Sequence, residues 1–231
     1  MNQLPIHYAE VEAIYNQTIG SGYKTLAVTS AKYGEGKTTI AQAIVERAQV
    51  IGKNVLLVEM NTYNPALSND LRLSSTKEVR ANKIIYIKNK GYSLLPAPQQ
   101  INDVLHYRER HLLHEAIKKW LKEFDSIIFD TSSLTSFNQS NIPAEIICSE
   151  CEASILVVEA GKTPSNLIQQ AIEKLKFTKV NLVGSVINDK SNPSLLTELH
   201  RETYQFNRSF PKLMSKIRSK LSSLVLLNIS V

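Results

Sequence analysis

Residues 25–45 constrain the fold of this chain more than any other stretch. Thr25-Leu26-Ala27-Val28-Thr29-Ser30 is a short apolar run that stops at a turn, Ala31-Lys32-Tyr33-Gly34-Glu35-Gly36. Lys37-Thr38-Thr39-Ile40-Ala41-Gln42-Ala43-Ile44-Val45 follows at once, with apolar residues on one helical face. The first run reads as a buried strand and the last as a helix. A strand, glycine turn and helix in such close succession predict a βα unit, in which the helix packs back on a sheet of parallel strands. Gly34 and Gly36 let the backbone bend so that successive N–H groups point inward at an anion. The helix start adds its positive dipole end at the same point. In that setting Lys37 can reach the β- and γ-phosphates of a nucleotide, and the Thr38 hydroxyl can ligate Mg²⁺. Gly34, Glu35, Gly36, Lys37, Thr38 and Thr39 are therefore the candidate nucleotide-binding residues.

The rest of the chain alternates strand and helix patterns without repeats or low-complexity linkers. Gly52 stops the first helix, and Val55–Val58 is a buried strand. Lys83–Ile87 and Tyr92–Leu95 are short strands around a Lys90-Gly91 turn. One long helical pattern runs over Ile101–Phe124, followed by a strand over Ser126–Phe129 that ends at Asp130. Ile155–Val158 and Val180–Ile187 are further strands, separated by a helix from Pro164 to Phe177. This order predicts a single α/β domain built on a mostly parallel twisted sheet, with helices on both faces and ligands at the carboxyl ends of the strands. Two acids fall at such ends. Asp130 is placed to support a metal ion through water, and Glu59 is the second candidate.

Composition narrows the setting. A chain of 231 residues with 43% hydrophobic content suits one α/β domain with a large core. No stretch approaches a membrane span, and Met1-Asn2-Gln3-Leu4-Pro5 is not a signal peptide, so a cytoplasmic location is expected. Two cysteines, Cys148 and Cys151, cannot form a disulfide framework. The net charge is +6, yet Arg201, Arg208, Lys212, Lys216, Arg218 and Lys220 against Glu202 put +5 of it after residue 200. The expected organisation is thus an NTPase domain over 1–200 and a basic amphipathic segment over 201–231.

The turn departs from the plain P-loop pattern, with Ala31 where that pattern has glycine and Lys32 beside it. A lysine there resembles the deviant Walker A motif of the MinD/ParA superfamily, whose extra lysine reaches across a dimer to the partner's nucleotide. Further segments resemble one branch, the CpsD/CapB-type bacterial tyrosine kinases of capsule and exopolysaccharide synthesis, over roughly residues 8–190. Thr29-Ser30 with Gly34–Thr38 is similar to that family's TS…GEGK[ST], and Val55–Pro65 to its VLLIDxDxRxP. Ser93–Ala97, Phe124–Thr131, Leu156–Thr163 and Gly184–Asn188 resemble its LxxLPAG, YDxIIIDTPP, LVVxxGxT and GVVLN segments. The resemblance implies ATP and Mg²⁺ as cofactors, a nucleotide-dependent homodimer, and a membrane polysaccharide copolymerase as partner. It makes Lys32, Glu59 and Asp130 the catalytic candidates, Thr38 and Asp130 the metal site, and Asn188 the residue that reads the adenine edge.

The departures limit the activity. The two aspartates of the DxD motif are Glu59 and Asn61 here, and an amide cannot act as a base. The arginine that follows in the family is Tyr63, and the two prolines are Ser132 and Ser133. The terminal tyrosine cluster is reduced to Tyr204, and the family's EX₂RX₂R motif maps onto Glu10, Ala13 and Asn16. The expectation is a slow ATPase, with tyrosine phosphorylation disfavoured. The alternatives are a spatial-positioning ATPase acting on membrane or DNA, and a nucleotide-binding pseudo-kinase.

Three other features have plainer readings. The Cys148-Ser149-Glu150-Cys151 pair reads as two reduced thiols at a helix-to-strand junction rather than a shared zinc or redox site. His111 and His114 read as a solvated helix face. Leu213, Met214, Ile217, Leu221, Leu224 and Val225 form an apolar arc bordered by lysines, which fits packing on the chain's own core, or binding to an anionic membrane surface or a partner protein. Nucleic acid is disfavoured, because aromatic residues for stacking are sparse there.

Overall fold

The computed structural model describes residues 4–73, 81–135 and 141–190. The basic segment at 201–231, Tyr204 included, lies outside the described residues. The chain divides into two compact units, Met1–Asn188 and Asp189–Val231. Only Asp189 and Lys190 of the second are described.

The first unit is built on a seven-stranded sheet. In chain order the strands are β1 Thr25–Ser30, β2 Val55–Glu59, β3 Ile85–Ile87, β4 Tyr92–Leu95, β5 Ser126–Ser133, β6 Ala153–Glu159 and β7 Leu182–Asn188. Their spatial order is β3-β4-β2-β5-β1-β6-β7. Every pairing is parallel except β3 with β4, which turn back on each other through Lys90 and Gly91. Gly91 supplies the positive φ of 76° that this turn needs. β1, β2, β5 and β6 are buried along their whole length, as strands covered on both faces must be.

The helices are α1 Ala9–Gln17, α2 Lys37–Val50, α3 Ala66–Asp70, α4 Ile101–Arg108, α5 Arg110–Trp120, α6 Ala144–Glu150 and α7 Ser165–Phe177. Strand alternation divides the apolar residues between two cores. Leu26, Val28, Leu57 and Ile128 meet Tyr15 of α1 and Ile40, Ile44 and Val45 of α2. Ala27, Leu56, Val58, Ile127 and Phe129 meet Val104, Leu113, Ile117, Trp120, Ile147 and Leu175 from α4 to α7. α1 is fastened to α2 by the Arg47–Glu12 ion pair, with the Arg47 guanidinium 4.8 Å from the Tyr15 ring centroid.

Three boundaries differ from the sequence pattern. The single helix expected over Ile101–Phe124 is two, because Glu109 takes an extended conformation (φ −81°, ψ 112°) and caps α5. The apolar stripe continues across this corner, so periodicity did not reveal it. β5 extends to Ser133 instead of ending at Asp130, because Thr131 and the two serines that follow are also buried. Its register against β1 shifts between Val28 and Ser30, next to the Val28–Asp130 pair. β7 spans Leu182–Asn188, so Asn188 is its last residue.

Candidate nucleotide site

The turn between β1 and α2 lies at the carboxyl edge of the sheet, beside the last residues of β5, β6 and β7. Gly34 and Gly36 have φ of 87° and 90°, the left-handed conformation that glycine tolerates. Gly36 is the N-cap of α2 and its carbonyl accepts the first helical bond from the Ile40 N–H at 3.1 Å. A Cβ at Gly36 would lie 2.3 Å from the end of the Asn188 side chain, which would have to move, and the φ of 90° strains any side chain there. The residues predicted for the phosphate cradle are thus brought together at a helix start, with Lys37 and Thr38 in the first turn and both largely buried.

Asp130 is the most informative group here. Its carboxylate is completely buried, and neither oxygen has a hydrogen-bond partner. Burial raises its pKa, while the Lys37 charge and the nearby Thr38 hydroxyl lower it. An unpaired buried carboxylate is costly, several kcal/mol on the order of transfer estimates, so its retention points to a ligand. Next to a threonine hydroxyl, the pair is an all-oxygen donor set of the kind Mg²⁺ takes, completed by phosphate and water. Among the described residues no group of three or more His, Cys, Asp or Glu side chains could hold a metal ion alone. The fit is therefore to a metal that arrives with a nucleotide.

Glu59 sits opposite Asp130 in the β2–β5 register, yet its carboxylate is engaged elsewhere. One oxygen accepts the Leu67 N–H at 2.6 Å, and the other accepts the Ser68 N–H at 3.0 Å and the Ser68 hydroxyl. Leu67 and Ser68 open α3, so Glu59 serves as a remote cap for that helix. Burial, with a smaller push from Asp130, raises its pKa to about 7 against the pull of these donors. Asn61 is likewise committed: its Nδ2 donates to the Asn64 carbonyl at 2.9 Å, while the Asn64 N–H points to Asn61 Oδ1 at 3.4 Å. The two departures from the DxD pattern both hold the β2–α3 connection in shape.

Lys32 is exposed at the tip of the turn, with its backbone fixed. Tyr33 reaches Asn64 through its hydroxyl and lies with its ring centroid 5.9 Å from Lys37 Nζ. Glu35 is fully buried and links the turn to the loop after β6. Asn188 Nδ2 donates to the Glu35 carbonyl at 2.9 Å, which places the predicted base-reading residue against the cradle. Neither the Tyr33–Asn64 link nor the Glu35 links were legible beforehand, because each joins residues that local periodicity cannot relate.

Outside the site, Cys148 and Cys151 are buried free thiols. Burial pushes Cys148 up to about 12 and Cys151 well above the ordinary thiol range, so both are inert. His114 pairs with Glu150 at 3.3 Å, and His111 is exposed. Among the described residues no helix is long and apolar enough to cross a membrane.

The sheet order, the glycine cradle at the start of α2 and the acid on the adjacent strand give the fold of P-loop NTPases. Comparison with solved structures agrees. The kinase domain of Escherichia coli tyrosine kinase ETK superposes with a TM-score of 0.65 at 17% identity, covering 84% of each chain. Cobyrinic acid a,c-diamide synthase from Mycobacterium smegmatis, with bound ADP and magnesium, gives 0.57 at 19% identity over 71% of this chain and 74% of that one. No family model matches. Among curated proteins, the relatives of this chain are CpsD- and YwqD-type bacterial tyrosine kinases. It is 27% identical over 194 residues to tyrosine-protein kinase CpsD of Streptococcus agalactiae, covering 78% of this chain and 81% of the relative. It is 28% identical over 181 residues to tyrosine-protein kinase YwqD of Bacillus subtilis, covering 72% and 73%.

Proposed function

We propose that this protein binds ATP with Mg²⁺ between two copies of itself, hydrolyses it slowly, and uses the cycle to regulate exopolysaccharide assembly. The carrying observation is the unpaired, fully buried Asp130 carboxylate beside Lys37 and Thr38 at the start of α2. The N–H groups of Gly34–Thr39 and Lys37 would hold the phosphates, and Thr38 with Asp130 would hold the metal. Mg²⁺, when bound, supplies charge neutralisation at the phosphates. The exposed Lys32 would stabilise charge on the γ-phosphate of the second copy.

The same site argues for hydrolysis over phosphorylation of tyrosine. Glu59 spends its carboxylate on α3, and Asn61 spends its amide on a turn. In this reading Glu59 acts as a support, not as the group that positions water or acceptor. The tyrosine-kinase homologues support a role in capsule-type assembly, with a membrane copolymerase as partner and a cytoplasmic location at the inner face of the membrane. Asn188 would set the base preference from the edge of the cradle.

The test uses the full chain. Equilibrium binding of a non-hydrolysable ATP analogue with Mg²⁺, ATP turnover, and mass by light scattering should all respond to nucleotide. Lys37→Ala should abolish binding, and Lys32→Ala should spare binding while lowering turnover and dimer formation. Absence of Mg²⁺-dependent nucleotide binding would refute the proposal, and rapid phosphotyrosine formation would refute the hydrolysis reading.

A further inference from the structure

We infer that Glu35 is a positioning residue for Lys32, linking the phosphate-binding turn to the loop between β6 and α7. The inference rests on the proposal that Lys32 acts on the nucleotide of a second copy. A carboxylate inside a cradle meant for phosphate needs a reason, since its charge opposes the ligand. Glu35 is fully buried, and both of its oxygens are used. Oε2 accepts the Lys32 N–H at 2.8 Å. Oε1 accepts the Thr163 hydroxyl and, at 3.4 Å, the Glu159 N–H.

The Lys32 peptide is gripped from its other side as well, because the Ser30 hydroxyl donates to the Lys32 carbonyl at 2.8 Å. The side chain of Lys32 meanwhile stays exposed. This is the arrangement a lysine needs if it is to reach outward from a fixed point. The far anchor is also rigid. Glu159 ends β6 opposite Asn188 of β7, the Ala160 N–H donates to the Asn188 carbonyl at 2.9 Å, and the Thr163 N–H donates to the Glu159 carbonyl at 3.1 Å. Glu35 therefore transfers the position of the β6–α7 loop to the backbone of Lys32.

Glutamine replaces this group only in part. Its single carbonyl oxygen can serve Lys32 or the Glu159–Thr163 side: on Lys32, the amide can donate to the Thr163 hydroxyl but meets the Glu159 N–H, and on the loop side it meets the Lys32 N–H. Removing the link should displace Lys32 by a fraction of an ångström to an ångström while leaving the N–H groups of residues 36–38 in place. Misplacement of that size costs on the order of 10- to 100-fold in rate. Binding, which depends on Lys37 and the cradle, should change by less than about threefold.

The experiment is a double-mutant cycle on the full chain, with ATP turnover and analogue affinity measured for wild type, Glu35→Gln, Lys32→Ala and the double variant. The expected result is a turnover loss of about tenfold or more in Glu35→Gln that vanishes in the Lys32→Ala background. Thr163→Val should show the same coupling more weakly, with Thr163→Ser restoring wild-type turnover; this pair carries the test if Glu35→Gln does not fold. Additive losses, or an affinity loss as large as the turnover loss, would overturn the inference and leave the ATPase reading intact. A wild-type protein that does not turn over ATP, or whose turnover ignores Lys32→Ala, would overturn both.

Discussion

Glu59 permits a quantitative test of whether its carboxylate supports α3 or serves the chemistry. Burial holds its pKa near 7, against an ordinary 4.5, even though three donors from Leu67 and Ser68 pull the other way. At roughly 1.4 kcal/mol per pH unit, this gap corresponds to about 3 kcal/mol of folding free energy. The sign follows from proton affinity. The folded chain holds this proton more tightly than the unfolded chain, so the contribution is complete below pH 4.5 and is lost as pH rises through about 7. Glu59→Gln keeps the shape and removes the titration. The stability of Glu59→Gln minus that of wild type should therefore rise by about 3 kcal/mol between pH 4.5 and pH 8, a relative shift in Tm on the order of 10 °C for a domain of this size.

Trp120, the only tryptophan of the chain, is 8% exposed in the core under α5 and reports unfolding by fluorescence. Subtracting the two curves cancels the titrating groups that do not interact with Glu59, leaving Asp130, whose push on Glu59 is a smaller cause than burial. A flat difference across this range would refute the reasoning and show Glu59 to be solvated and ordinary, as a group that handles water would be. A difference of the opposite slope would mean that the α3 donors outweigh burial.

Other consequences are open to measurement. Gly36→Ala places a methyl 2.3 Å from Asn188 Nδ2 on a backbone with φ of 90°, and should abolish Mg²⁺-dependent analogue binding in a titration while costing about 1–3 kcal/mol in urea unfolding. Asp130→Asn removes a buried unpaired charge, so the nucleotide-free protein should gain about 1–3 kcal/mol of stability and lose at least about tenfold in Mg²⁺-dependent affinity. Stabilisation with unchanged Mg²⁺ dependence would remove Asp130 from the metal site. Cys148 and Cys151 should resist iodoacetamide in the native protein at pH 8 and react in urea, as mass spectrometry would record, because burial keeps both thiols protonated.

The sheet, the cradle and the acid on β5 could be read from the chain because each is written in contiguous residues. Apolar runs of four to eight mark buried strands, and two glycines before Lys-Thr mark an anion-binding turn wherever they occur. What could not be read is what joins contiguous pieces. Glu109 looks like any polar residue of a long helix, and only its extended backbone shows that it caps the second. Glu59 looks like an acid at the end of a strand, and only the fold of the next connection shows that its oxygens face Leu67 and Ser68. The contrast with Asp130 is instructive. Both acids are buried at the carboxyl edge of neighbouring strands, in register with each other, yet one is held by three hydrogen bonds and the other has no hydrogen bond of normal length, only the Lys37 charge and the Thr38 hydroxyl nearby. A sequence motif assigns them a common role by position. Hydrogen-bond satisfaction separates them, because a buried carboxylate whose lone pairs are filled by the protein is part of the scaffold, and one without such bonds is the one with lone pairs left to offer a cation.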